Sequence, residues 1–320
     1  MNLQQLEYIL AVDQFRHFAR AAEYCHVTQP TLSTMINRLE GELDVHIFDR
    51  SRHPVVPTQE GIEILNQARR VLVEANRIKQ IATDFKGEIH GDLKLGIIPT
   101  VAPFLLPLFL NDFLQKYPRL KLFISEYTTE NIVEKLQNGE LDAGILATPL
   151  HIDSIRETPL YNEEFVVYAG GKEDIIRKKY IIPNDIDLNR LWLLEEGHCL
   201  RSQIINLCDL KKKGNYLSNL QYEVGSIDTL KRLVDSNKGI TILPELAVLD
   251  FPEATKKYLH YFKPPVPVRE ISIVTYRRLV KERLINLIKD DITKKIKPLV
   301  GKGKSFKIIE INPESAKKGV

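Results

Sequence analysis

Apolar residues recur at helical spacing from the start of the chain. Leu3, Leu6, Ile9 and Leu10 predict a first helix ending near Asp13. Phe18, Ala21, Ala22 and Cys25 give a second helix with a narrow apolar face. Leu32, Met35, Ile36, Leu39 and Leu43 form the buried stripe of a third. Thr28 is placed to cap that helix, and Pro30 falls in its first turn, where a missing N–H does no harm. Two short helices joined by a tight turn, the second well capped, have the helix-turn-helix outline. HIFDRSRHPVVPT follows and reads as a hairpin wing with a basic tip. Thr58 can cap a long helix running to about Phe85, with Leu65, Ala68, Leu72, Ala75, Ile78 and Ala82 on one face. At helical rise it is roughly 40 Å long. Such a stripe predicts dimerisation, the alternative being packing on the chain's own C-terminal domain.

Beyond a hinge at KGEIHGD the period alternates. DLKLGII and LKLFISEY read as strands around a helix in PFLLPLFLNDFLQKYP, followed by a helix near ENIVEKLQ and a strand in DAGILAT. This is the βαβ rhythm of a parallel sheet covered by helices. It restarts at EFVVYAG, runs to GITILP, and closes with a strand (REISIVTY) and a helix (KERLINLIKDDITKKI). From Gly301 the chain is polar and lysine-rich, which predicts a disordered tail.

Composition narrows the class. With 320 residues, 43% hydrophobic and 27% charged, the chain can bury two or three ordinary cores. No apolar run reaches the roughly 18 to 20 residues that span a bilayer. MNLQQLEYIL lacks the basic start of a signal peptide. A cytoplasmic protein without membrane partners is expected. The net charge of +3 decides nothing, and the first sixty residues carry five Arg against eight Asp or Glu. Any case for nucleic acid therefore rests on where the arginines sit. A Walker A loop, HExxH, CxxC and a zinc-like cysteine cluster are all missing from the sequence, so no metal and no cofactor are expected.

Two groups of residues carry candidate chemistry. Opposite the third helix's apolar stripe lie Gln29, Thr31, Ser33, Thr34, Asn37 and Arg38, of the length needed to reach base edges or phosphates in a major groove. Thr28 and Pro30 open that helix, whose free N–H groups suit a phosphate. Arg50, Arg52 and His53 crowd the wing. The second group is GHCLRSQIINLC. Cys199 precedes a short helix, with His198 and Arg201 beside it, a setting that predicts a lowered thiol pKa. Cys208 is nine residues on. A continuous helix would hold the two about 13 Å apart, whereas a disulfide tolerates a Cα separation of about 7 Å at most. The pair could bond only by rearrangement, and closing so short a loop gains only about 2 to 3 kcal/mol in the chain-entropy view. The plain alternative is two cysteines packed as small apolar groups, the role assigned to Cys25.

FARAAEYCHVTQPTLSTMINRLEGELDVHIFDR closely resembles the winged helix-turn-helix of LysR-type transcriptional regulators. Thr28 stands where that family usually has Ser, and Asp44 where it usually has Gly. The resemblance covers the whole chain. It implies an α/β protein with an α-rich N-terminal winged helix-turn-helix and a two-lobed sensor domain like periplasmic binding proteins. The divisions become residues 1–58 for DNA binding, 59–87 for the dimerisation helix and 88–300 for the sensor, with 301–320 a polar tail. Lobe I takes 91–162 and 268–300, lobe II takes 163–267, and the chain crosses near Tyr161–Glu164 and Val266–Glu270. GIIPTVAPFLLP, GHCLR and the nine-residue gap are further similar to the family's peroxide-sensing members. That likeness implies hydrogen peroxide as the signal, Cys199 as the attacking thiol, Cys208 as the resolving one, and Thr100 and Thr129 placing the peroxide. Glu130 stands where some relatives have His. Double-stranded DNA, a homodimer through the linker helix, a homotetramer and RNA polymerase are the implied partners of such an activator.

Three other readings compete. A LysR-type regulator of a small organic anion would use Thr100 and Thr129 to hold a carboxylate between the lobes, and would not need the cysteine pair. A thiol peroxidase would leave the DNA-binding third without purpose. A transport-binding protein would need a signal peptide in its place.

Overall fold

The computed structural model describes residues 1–84, 89–170, 180–187, 190–194, 199–208, 225–277, 281–301 and 305–311. The chain divides into two compact units, with the boundary between Glu88 and Ile89. Residues 86–88 of the expected hinge, His198, and 312–320 lie outside the described residues.

The first unit is a small helical body with a wing. Helix α1 (Leu3–Phe15) starts from a capping box in which Asn2 and Gln5 exchange side-chain and backbone bonds, both 2.9 Å. Helices α2 (Phe18–Tyr24) and α3 (Gln29–Leu43) follow, then strands β1 (Phe48–Asp49) and β2 (Val56–Pro57), paired antiparallel, then α4 (Gln59–Asp84). Ile9, Val12, Leu32, Ile36, Leu39, Ile47 and Leu65 meet in one core. Each such side chain contributes about 1.5 to 3 kcal/mol on burial. Leu43, expected on the buried stripe, is exposed, because α3 ends there. Its C-cap is Asp44, in the left-handed conformation at φ 54°, ψ 39°. That backbone favours glycine, which is why Asp is a departure at this position; a short polar side chain tolerates it better than most.

Thr58 caps α4: its Oγ1 accepts from Gly61 N at 2.9 Å and donates to His46 O at 2.6 Å. Asp13 pairs with Arg69 and Arg16, tying α1 to α4. The α4 stripe changes character along its length. Leu65 and Ala68 are buried in the core and Leu72 packs against it in part, but Ile78 is 71% exposed. Nothing is described of the Ala82 side chain.

The second unit has two lobes joined by long strands. In lobe I, β3 (Gly91–Ile97), β4 (Leu120–Glu126) and β5 (Ala143–Thr148) run parallel in the order β4-β3-β5, linked by α5 (Ala102–Lys116) and α6 (Thr129–Gln137). Helix α6 lies so close to the sheet that a Cβ on Gly96 would meet Ile132 Cγ1 at 3.1 Å. That contact fixes the height of Thr129 at the helix start. Then come β6 (Ile155–Ala169), β7 (Tyr180–Ile181), α7 (Cys199–Leu207), α8 (Ile227–Asn237), β8 (Ile240–Pro244), α9 (Glu245–Val248) and α10 (Glu253–Lys256). Strands β9 (Leu259–Phe262) and β10 (Val266–Tyr276), helix α11 (Glu282–Ile296) and β11 (Phe306–Ile308) complete it.

Strands β6 and β10 serve both lobes. They pair antiparallel, with Arg269 opposite Glu163 and Ile271 opposite Tyr161. The C-terminal half of β6 carries β8 and β9, both antiparallel to it. The parallel sheet expected from the sequence is present in β4-β3-β5, and the sheet as a whole is mixed because the two crossing strands bring the chain back through it. The expected disordered tail also needs correction. β11 pairs parallel with β10 at Val266–Val268, and Ile309 is buried in the lobe II core. A period-two apolar signal three residues long is too short to stand out against the surrounding lysines. Among the described residues no helix is long and apolar enough to cross a membrane.

Candidate functional site

Two sites are separately built, one in each unit. In the first, Thr28 Oγ1 accepts from Thr31 N at 3.4 Å and lies 2.8 Å from Thr31 Oγ1, so the start of α3 is held by two adjacent hydroxyls. Thr28, Gln29, Pro30, Thr31, Thr34, Asn37 and Arg38 are exposed and Ser33 is half-buried. The leucine and isoleucine stripe fixes this polar face outward.

The wing arginines divide in role. Arg52 is exposed and pairs with Asp49 at 3.2 Å. Arg50 instead donates to the buried Glu40 Oε2 at 2.8 Å and stacks over Phe18, 5.1 Å from the ring centre. Glu40 Oε1 also accepts from Ile47 N at 2.7 Å and Phe48 N at 3.3 Å. Glu40 thus fixes the root of the wing, and Arg50 neutralises it.

The second site surrounds Cys199, the first residue of α7. Its Sγ lies 2.6 Å from Thr129 Oγ1, at the start of α6. Cys199, Thr129 and Thr100 are all buried. Arg269 Nη1 donates to Thr100 Oγ1 and Nη2 to Thr100 O, both at 3.1 Å. Arg269 Nε donates to Glu163 Oε1 at 2.7 Å, and this pair is fully buried at the crossing of β6 and β10. Leu246 N donates to the other oxygen of Glu163, at 3.2 Å. The cluster holds Thr100 and Thr129 from lobe I, the Cys199 thiol against Thr129, and one ion pair on the crossing strands.

The thiol is not activated in the way the sequence suggested. Burial pushes Cys199 up to about 11; the Thr129 hydrogen bond and the Arg269 charge draw it down, and Glu130 pushes it up. Arg201 is on the first turn, but its Nη1 donates to Leu194 O at 2.8 Å. The cation whose charge acts on the sulfur is Arg269, which is itself paired with Glu163. Alkylation of Cys199 by iodoacetamide should therefore accelerate about tenfold per pH unit from pH 7 to 10. A rate already level by pH 8 would mean that the resting site holds thiolate.

Cys208 sits at the far end of the same helix, where its N–H donates to Ile204 O at 3.0 Å. It is buried in the lobe II core, whereas Cys199 belongs to the lobe I core. Both are free thiols, as is the half-buried Cys25, which burial and then Glu7 raise in pKa. Among the described residues no group of three His, Cys, Asp or Glu could hold a metal.

Residues 86–291 match the LysR substrate binding domain, and residues 3–62 match the bacterial regulatory helix-turn-helix protein, lysR family. The chain belongs to the LysR family. Among its relatives, a hydrogen peroxide-inducible genes activator of Haemophilus influenzae is 35% identical over 91% of this chain and 97% of its own. A full-length OxyR of Pseudomonas aeruginosa with a cysteine-to-aspartate substitution covers 92% of this chain and 98% of its own, with TM-score 0.76 and 34% identity. A hydrogen-peroxide-bound mutant OxyR of Corynebacterium glutamicum covers 93% and 94%, with TM-score 0.61 and 27% identity.

In this LysR-family chain, sequence reasoning missed Arg269 and Glu163. Part of the signal was present: the two segments expected to cross between lobes hold Glu163 with Glu164 and Arg269 with Glu270, where β pattern alone calls for apolar side chains. Charge at a buried crossing demands a partner, and Glu163 and Arg269 are each other's.

Proposed function

We propose that the chain is a cytoplasmic transcription activator that reads double-stranded DNA with α3 and the wing, and senses hydrogen peroxide through reversible Cys199–Cys208 bonding. The observation that carries the redox half is the placement of the thiols. One sits at the start of α7 against Thr129 and near Arg269, and the other at the end of α7 in the opposite lobe's core. The likeness to peroxide-inducible activators supports the signal. An organic-anion regulator would have no use for the Cys199–Cys208 pair.

The chemistry balances in two steps. Cys199 loses its proton, and the thiolate attacks one oxygen of peroxide as Thr129 and Thr100 hold the oxygens by hydrogen bonds. The O–O bond breaks, the departing hydroxide takes the proton to become water, and the sulfur becomes sulfenic acid. Cys208 then attacks that sulfur and releases a second water. Two thiols have lost two electrons and one peroxide has gained them. Because α7 separates the cysteines, the second step needs α7 to unwind, which reshapes the sensor. Arg201 is on the first turn of α7 and moves with it; His198 belongs to the same sequence segment.

On DNA, Gln29, Thr31, Ser33, Thr34, Asn37 and Arg38 meet the major groove, with Thr28 and Pro30 setting the helix start at the backbone. Replacing Thr31 or Arg38 by Ala should lose about 1 to 3 kcal/mol per base contact and relax preference at that base. Arg52→Ala should weaken all sequences alike and flatten the salt dependence. Arg50→Ala should unfold the wing root as well as weaken binding. Selection from random DNA with and without peroxide tests the whole reading. A single peroxide-insensitive site, shifted instead by a small organic acid, would favour the anion regulator.

The exposed end of the α4 stripe supports a homodimer through this helix, with a second sensor interface completing a homotetramer and RNA polymerase as the downstream partner. Ile78→Glu leaves the domain core untouched and should yield monomers on sedimentation. Native mass in that variant would place the seam elsewhere.

A further inference from the structure

Helix α7 is gripped from outside by the end of the chain. Gln203 Nε2 donates to Ile309 O at 2.9 Å in a buried contact, and Asn206 Nδ2 donates to Glu310 O at 2.9 Å. The two side chains are three residues apart, so they lie on one face of the helix. The segment they hold is itself anchored. Val266 N donates to Ser305 O at 3.0 Å, β11 pairs with β10, and Ile309 N donates to Val268 O at 2.9 Å. Ile309 fills the lobe II core, and Ile311 packs against the lobe I core.

The grip falls between the two cysteines. A nine-residue separation in helix is about 13 Å, so bonding requires the middle of α7 to come apart. Gln203 is in that middle and Asn206 in the last turn, both between the cysteines. Their acceptors are backbone carbonyls of a segment fixed to β10, the strand that also carries Arg269. An unwound α7 cannot present both side chains to both carbonyls at once.

We infer that Ser305–Ile311 is a strap that stabilises the helical, reduced form of α7 and sets how readily the Cys199–Cys208 disulfide forms; this rests on the redox reading above. The strap favours the dithiol, so a peroxide pulse produces the disulfide only as the strap's two side-chain bonds let go. When two glutathione thiols later reduce the disulfide to the dithiol, leaving oxidised glutathione, re-docking of the strap draws α7 back to helix. By reciprocity, oxidation must loosen the strap as much as the strap resists oxidation.

The test uses the full chain. Gln203→Met keeps the volume and removes the donor together with an Oε1 that has no hydrogen-bond partner; the cost is the buried Ile309 carbonyl, which loses this donor. Combined with Asn206→Ala it removes both strap bonds. In a glutathione redox buffer each lost bond should favour the disulfide by about fivefold. The double variant should therefore shift by roughly 25-fold, which is about 40 mV toward more negative potential. Hydrogen exchange supplies a second readout: Phe306–Glu310 should be protected in reduced wild type and lose protection on oxidation. Ile309→Asn releases the strap from the other side and should shift the midpoint in the same direction, even should Gln203→Met fold poorly. A wild-type disulfide with an unchanged midpoint in these variants overturns the strap and leaves the redox reading standing. No wild-type disulfide at all overturns both.

Discussion

Arg269→Met should cost the sensor unit about 3 to 5 kcal/mol, because it leaves Glu163 charged and buried without its partner. Glu163 is fully enclosed, and Arg269 is its ion-pair partner at 2.7 Å. The same substitution strips Thr100 of two donors. For a unit of this size, thermal unfolding should fall by roughly 10 °C, at about 2 to 4 °C per kcal/mol. Removing both charges, as Arg269→Met with Glu163→Met, should recover most of the loss, since a packed apolar pair replaces a buried ionic one at little cost. Thermal denaturation of the three variants checks this. If the single variant melts within a degree or two of wild type, the pair is not what joins the lobes. Even the stable double variant should lose peroxide sensitivity, because the cation beside Cys199 and the grip on Thr100 are gone.

Cys199→Ser should abolish the peroxide response altogether and leave one fixed DNA-binding mode. A serine hydroxyl keeps the contact with Thr129 but cannot form sulfenic acid, so stability should change little while the signal disappears. Cys208→Ser should part company with it. That variant should still form sulfenic acid at Cys199, detectable by a sulfenic-acid probe, but with no second thiol to expel water it should stall there. Cys25→Ser should respond as wild type. Footprints on a selected site, before and after a peroxide pulse, distinguish these outcomes. A Cys199→Ser protein that still changes its footprint would move the sensor elsewhere in the chain.

What the sequence revealed, and what it hid, divides along physical lines. Helices α1 and α2 were legible from a stripe alone, and α3 and α4 from a stripe and a cap; Leu32, Ile36 and Leu39 with Thr28 are enough to place α3 and its outward face. The cysteines were legible from their spacing and the helix start that follows Cys199. The direction of the Cys199 shift was not, because it depends on burial between two lobes, and burial at a crossing is a property of the assembled sheet. Arg201 is the nearest cation along the chain, but the fold turns it to Leu194 and brings up Arg269 from a strand 70 residues on. The C-terminal strand was hidden for a similar reason. Phe306–Ile308 has little pattern of its own and gains its order from β10 and from the two α7 side chains above it.

The most direct test of the account is peptide mapping of the reduced full-length protein after a brief pulse of peroxide, with free thiols blocked at each time point. The account predicts a sulfenic acid on Cys199 first, then an intramolecular Cys199–Cys208 bridge that thiol reductant reverses, with Cys25 alkylated throughout. A pulse that changes DNA binding without the bridge ever forming, or a bridge that leaves DNA binding unchanged, would contradict it.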